Sequence, residues 1–322
     1  MINLDTLLIG KKTVGISGHV RPDGDCVGST LAVYNYIRTY YPEIETDIYL
    51  EPIPNTLKFM KHSECICSSV EEDKSHDIFF VLDCGDIGRL GENVKYFHSA
   101  KYTICIDHHV SNVEYANENY IIPDASSTCE LVFNIMDTDK ITKEIAECLY
   151  TGIVHDTGVF QYSCTTASTM TAAGILMEKG IDYSKIVHKS YYEKLYKQNL
   201  ILGKILLDSQ LYLDGKCIIS YVTKETMEQF DCLPKHLEGV VNQLRLTKDT
   251  IVAAFLYETE KNLYRVSLRA NEDVNMAEIA MQFQGGGHVR AAGCTMEGEI
   301  KDIIVRLAEA ISDKIQEWEQ NV

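Results

Sequence analysis

Short, almost continuously apolar runs alternate with longer segments of helical spacing through the first part of the chain. Thr13–Ser17, Thr46–Leu50, Asp77–Leu82 and Tyr102–Ile106 have strand length. Their weak inside–outside alternation predicts strands covered on both faces, as in a parallel sheet with crossover helices. Val27–Tyr40, Ser126–Met136, Thr142–Val154 and Ser168–Lys179 have helical length and spacing, the last two beginning near Thr or Ser capping candidates. The pattern predicts a doubly wound, mostly parallel α/β domain over residues 1–185, with its site outside the carboxyl ends of the strands.

A polar, helical-looking stretch follows, and residues 186–208 are expected to form a helical linker. Residues 209–322 then predict a smaller α/β domain with a mixed sheet. Its strands are Cys217–Val222, Ile251–Tyr257 and Leu263–Arg269, and its closing helix is Ile300–Trp318. Alternation in Leu263–Arg269 puts Tyr264, Val266 and Leu268 on one face and Arg265, Ser267 and Arg269 on the other. The second face is basic and polar, which suits solvent or an anion better than core.

Composition narrows the partners. A formal charge of -17 over 322 residues argues against long duplex nucleic acid, which needs a basic footprint. A small phosphorylated substrate remains compatible, because physiological salt screens repulsion beyond about 8 Å. The eleven cysteines show no C-x-x-C spacing, so reduced thiols in a cytoplasm are expected. No segment approaches the ~20 apolar residues of a membrane span, and the first residues lack the pattern of a secretory signal.

Four segments end apolar runs on acids and histidines: His19–Asp25, Leu82-Asp83, Asp107-His108-His109 and His155-Asp156. Each alone has a plain structural role. Asp23 and Asp25 suit a helix cap, Asp83 a turn, and Asp156 a helix end, where its charge opposes the helix dipole. Gathered in one cleft, they are a charge problem. Two carboxylates about 4 Å apart repel by roughly 4 kcal/mol at an effective dielectric near 20. Two divalent cations resolve it. Mixed carboxylate and imidazole donors suit Mn²⁺ or a similar first-row ion, with Mg²⁺ and Zn²⁺ open. A fifth segment, Gly285-Gly286-Gly287-His288, predicts a flexible loop whose backbone N–H groups can approach a ligand. His155 is expected to pack or to support the ligands rather than to ligate, and His76 to lie on the surface with His62, His98, His188 and His236.

These motifs together resemble the DHH phosphoesterases with a DHH-associated C-terminal domain, of the bacterial nanoRNase and 3′-phosphoadenosine 5′-phosphate (pAp) phosphatase type. The likeness runs through HxxxDxD at His19–Asp25, the lone acid Asp83, DHH at Asp107–His109 and DTGxFxYS at Asp156–Ser163. It continues through SLR at Ser267–Arg269 and GGGH at Gly285–His288. It implies an active site in the interdomain cleft, and water activated between two divalent ions, Mn²⁺ in preference to Mg²⁺ or Co²⁺. His19, Asp23 and Asp83 would hold one ion; Asp25, Asp83, His108 and Asp156 the other, with Asp83 bridging. Asp107 would orient the imidazoles, and His109 would donate to a phosphate oxygen. Ser267, Arg269, Gly286, Gly287 and His288 would grip the substrate. The implied substrates are short RNA oligonucleotides or small phosphorylated nucleotides, and a homodimer is compatible. Ala270 and Gln284 depart from the family's usual Ser and Gly, which bears on specificity. The rivals are a c-di-AMP or pApA phosphodiesterase, a family II pyrophosphatase-like enzyme and a non-catalytic nucleotide-binding regulator.

Overall fold

The computed structural model describes residues 2–69 and 74–321. The chain divides into two compact units, one ending at Glu193 and the other beginning at Lys194.

The first unit is built on a six-stranded sheet of β1 (Thr13–Ser17), β2 (Glu45–Tyr49), β3 (Ile66–Cys67), β4 (Ile78–Leu82), β5 (Thr103–Asp107) and β6 (Glu118–Ile121). Every pairing is parallel, and the order is β3-β2-β1-β4-β5-β6. Chain order reverses between β1 and β4, which opens a crevice beyond their carboxyl ends. The continuous apolar run of β4 has the physical cause that the sequence suggested. Ile78, Phe80 and Leu82 join one core with the long helices, while Phe79 and Val81 join a second with Tyr49, Tyr96 and Phe97.

The helix Gly24–Tyr40 is buried along nearly its whole first three turns. It packs on the helix Lys143–Asp156, and Gly28 lets the two approach: a Cβ there would stand 2.6 Å from the Cys148 carbonyl oxygen. His76 is a correction to the surface assignment. It is fully buried, with Nε2 2.9 Å from Asp47, and packs edge-on against Tyr49 and Tyr96.

The second unit carries a mixed sheet of β7 (Gln210–Tyr212), β8 (Cys217–Val222), β9 (Val252–Glu260), β10 (Leu263–Ala270), β11 (Gly286–His288) and β12 (Ala291–Glu297). The order is β11-β12-β10-β9-β8-β7, with only β8 and β9 parallel. Tyr264, Val266 and Leu268 lie in a core beneath the helices Met276–Gln282 and Ile300–Glu319. On the opposite face Ala253 and Phe255 pack with Ile201 and Ile205 of the helix Tyr196–Leu207. That helix, placed by the sequence within a linker, thus contributes to the core of the second unit. The glycine run is also not a plain loop: Gly286–His288 pairs with β12 as an edge strand.

Candidate metal centre

The crevice between β1 and β4 receives the four acidic segments singled out in the sequence. The turn after β1 carries His19, Asp23 and Asp25; Asp83 follows β4; Asp107 ends β5 and is followed by His108 and His109. Asp156 is the last residue of the helix Lys143–Asp156.

Asp83 stands at the middle. Its backbone adopts φ 56°, a left-handed conformation uncommon outside glycine, and its side chain is buried. One carboxylate oxygen, Oδ2, lies 3.4 Å from Nε2 of His19; the other, Oδ1, lies 3.7 Å from Nε2 of His108. Asp23 Oδ2 is 3.6 Å from the same His19 nitrogen. His108 Nε2 also faces Asp156 at 3.0 Å and Asp25 at 3.9 Å. The grouping of Asp25, His108 and Asp156 is compact enough for one ion to touch all three. A second grouping adds Cys26 to His19 and Asp83.

The imidazoles are oriented as ligands are. His19 Nδ1 donates to the Val20 carbonyl at 2.9 Å, and His108 Nδ1 faces the Ala125 carbonyl at 3.3 Å. Both therefore turn Nε2 toward the carboxylates, the arrangement in which a backbone acceptor fixes the tautomer of a metal-binding histidine. Asp23 divides its oxygens: Oδ1 caps the helix through the N–H groups of Asp25 and Cys26, and Oδ2 faces His19.

Asp25 is wholly buried and rests on another helix terminus. Its Oδ2 accepts the Thr128 N–H at 2.7 Å and its Oδ1 the Cys129 N–H at 2.8 Å, at the start of the helix Thr128–Ile135. A helix N-terminus favours an anion there. Gly152 leaves room for it, since a Cβ at that position would stand 2.7 Å from Asp25 Oδ1.

The electrostatics call for positive charge. Burial, with Asp83 and Asp156 as neighbours, pushes the Asp25 carboxyl well above its ordinary range. Burial also raises Asp156, to about 6, although His108 opposes it. Burial lowers His19 and His108, but the facing acids prevail and carry each to about 10. The mixed carboxylate and imidazole donor set fits divalent metal ions.

Asp107 and His109 have a different relation. His109 Nδ1 donates to Asp107 Oδ1 at 2.6 Å, while Oδ2 accepts from the Asn112 amide at 2.7 Å. The sequence reading missed Asn112, and also Thr128, whose hydroxyl lies 3.3 Å from Asp83 Oδ1. A Ser-Ser-Thr run opening a predicted helix marks Thr128 only as a cap; nothing local marks Asn112.

Four of the five gripping residues predicted in the second unit share one face of its sheet, in two adjacent rows, and Gly287 pairs with Ala292 on the other face. Arg269 pairs with Ala291, which pairs with His288; two residues along, Ser267 pairs with Gly293, which pairs with Gly286. Directly paired residues share a face, so Arg269, Ser267, His288 and Gly286 line the same one. Gly287 sits at φ 151°, where a Cβ would meet Ala292 Cα at 2.4 Å.

Known proteins match both units. The DHH family, N-terminal domain, matches residues 13–153, and the DHHA1 domain matches residues 214–319. The chain thus joins a DHH N-terminal domain to a DHHA1 domain. This DHH chain is 26% identical over 304 residues to the bifunctional oligoribonuclease and PAP phosphatase NrnA of Thermus thermophilus, covering 93% of this chain and 89% of that protein. It is 26% identical over 289 residues to the protein of the same name from Bacillus subtilis, covering 88% and 89%. Among solved structures, an exopolyphosphatase-related protein from Bacteroides fragilis superposes on the DHH chain with a TM-score of 0.87 at 27% identity, covering 96% of this chain and 95% of that one. None of the helices described is long and apolar enough to cross a membrane.

Proposed function

We propose that this DHH phosphoesterase hydrolyses short oligoribonucleotides and pAp to mononucleotides, using two divalent ions, Mn²⁺ first among them. The observation that carries this reading is Asp83, whose two oxygens face two separate histidine–carboxylate groups. His19, Asp23 and Asp83 hold one ion, and Asp25, Asp83, His108 and Asp156 hold the other. Bound divalent ions supply Lewis acidity toward phosphoryl oxygens and make water a nucleophile near neutral pH.

The chain's own groups do the rest. Asp107 holds the His109 ring through Nδ1 and favours its protonated form, in which Nε2 also carries a proton to donate to a phosphate oxygen. Asn112 fixes Asp107 in turn. Asp25 keeps its place through two backbone N–H groups at a helix end. In the second unit, Arg269 supplies a guanidinium suited to a terminal phosphate. Ser267 and His288 add donors for phosphate, sugar or base, with Gly286 and Gly287 leaving the strand beside them free of side chains. The names borne by the Thermus and Bacillus relatives support the choice of substrates. The acidic surface, at -17 overall, favours short strands over long ones.

A turnover panel in Mn²⁺ tests the reading: pAp, RNA dimers to pentamers, c-di-AMP, pApA, pyrophosphate and short polyphosphate. The expected preference is for the short RNAs and pAp. A preference for c-di-AMP or pApA would assign the enzyme to cyclic-dinucleotide turnover. A preference for pyrophosphate or polyphosphate would overturn the nucleotide assignment.

A further inference from the structure

His155 precedes Asp156 in the last turn of the helix Lys143–Asp156, yet its ring lies against the turn that carries Asp23 and Asp25. A Cβ added at Gly24 would stand 2.2 Å from the ring's Cγ and 2.5 Å from Nδ1. The imidazole therefore packs directly on the Gly24 backbone, where a side chain would not fit. Its other side is held by the last segment of the first unit. The ring meets Tyr191 edge to face, with centroids 5.6 Å apart and planes at 85°. Tyr191 belongs to a π-helical turn, His188–Tyr192, a rare geometry frequently found at functional sites.

Nε2 of His155 is buried and has no hydrogen-bond partner among the described residues. An unpaired buried nitrogen costs free energy. A simple core position would be filled better by an apolar side chain. What the ring provides is a flat, rigid surface under a residue with more backbone freedom than any other. The acids on either side of that glycine serve different ions in the two-metal reading.

We propose that His155 is a positioning residue: clamped between Tyr191 and Gly24, its ring sets the Asp23–Gly24–Asp25 turn so that both carboxylates reach their ions. This inference rests on the two-metal reading. It assigns to the ring face, rather than to a nitrogen, the work of holding the turn. It also ties the π-helical turn before Glu193 to the metal centre.

Titration of the full-length protein with Mn²⁺ by calorimetry tests it, alongside thermal melting followed by circular dichroism. Wild type should bind two ions. His155→Ala should keep its secondary structure and bind Mn²⁺ about 10- to 100-fold more weakly, the range seen when a contact that orients ligands is removed. His155→Phe, which keeps a ring over Gly24, should recover most of that loss. Unchanged binding in His155→Ala would overturn the proposal, and so would His155→Phe behaving like His155→Ala. If His155→Ala does not fold, Tyr191→Ala carries the test: weakened binding supports the clamp, and unchanged binding overturns it. Wild type binding no Mn²⁺ would overturn the two-metal reading, and this role with it.

Discussion

His109 gives its Nδ1 proton to Asp107 Oδ1 over 2.6 Å, and this bond separates the two adjacent histidines of the motif by function. His108 turns Nε2 on three carboxylates, whereas His109 has its Nδ1 engaged and Nε2 left for a ligand. His109→Ala should therefore bind Mn²⁺ with unchanged stoichiometry and lose turnover by roughly 10²–10³-fold, the scale for removing one donor to a reacting oxygen. Calorimetry and initial rates on pAp check both halves. Loss of an ion would make His109 a ligand.

Arg269 lies on the same sheet face as His288 and Ser267, and the proposed function gives its guanidinium a part in binding rather than in bond cleavage. Arg269→Ala should raise KM for pAp about 10- to 100-fold, as expected for losing a charged hydrogen bond of roughly 1.5–3 kcal/mol. The kcat should change little. A fall in kcat at constant KM would move Arg269 into the chemical step.

The architecture of the first unit was legible because parallel strands buried on both faces leave continuous apolar runs, as in Ile78–Leu82. The candidate metal residues were legible because each sits where a run stops. Strands with little to bury were not. Ile66–Cys67, Glu118–Ile121 and Gln210–Tyr212 are short and none of their residues is fully buried, so they leave no hydrophobic pattern. Gly286–His288 lacked side-chain signal altogether and was expected as a loop. His76 misled for another reason: its partner Asp47 is 29 residues away, and a long-range pair has no local signature. Asn112 was invisible because its target, Asp107, is already claimed by a recognisable motif.

Gly28 reports on the packing that carries Asp25. A methyl group there would press on the Cys148 carbonyl at 2.6 Å, the Cys129 sulfur at 3.0 Å and the Gly152 nitrogen at 3.2 Å. Replacing a mid-helix glycine by alanine ordinarily gains roughly 0.5–1 kcal/mol. Overpacking costs about 1–3 kcal/mol, and the obstacle here is backbone, which cannot rotate away. Gly28→Ala should be net destabilising by urea unfolding. A more stable variant would show that the two helices separate freely.

Asp77 gives a pH dependence whose sign can be stated. Its carboxylate pairs with Lys101 and accepts the backbone N–H groups of Lys12 and Thr13, which hold it at about 2. An unfolded aspartate titrates near ~3.9. The folded value is the lower one, so Asp77 stabilises the fold above about pH 4, and that contribution fades as pH falls toward 2. The stability gap between wild type and Asp77→Asn should be widest at neutral pH and narrow below pH 4. A gap that does not change across pH 3–6 would remove Asp77 from the acid response.

The central claim is that Asp83 joins two metal sites. Mn²⁺ titration of Asp83→Asn beside wild type, with turnover of an RNA dimer measured on the same samples, tests it most directly. The account predicts two bound ions in wild type, with activity that chelator abolishes and Mn²⁺ restores. In Asp83→Asn it predicts weakened binding at both sites and a loss of turnover beyond the roughly 100-fold that outer contacts reach. Normal Mn²⁺-dependent turnover in Asp83→Asn, or loss of one ion with the other site intact, would contradict it.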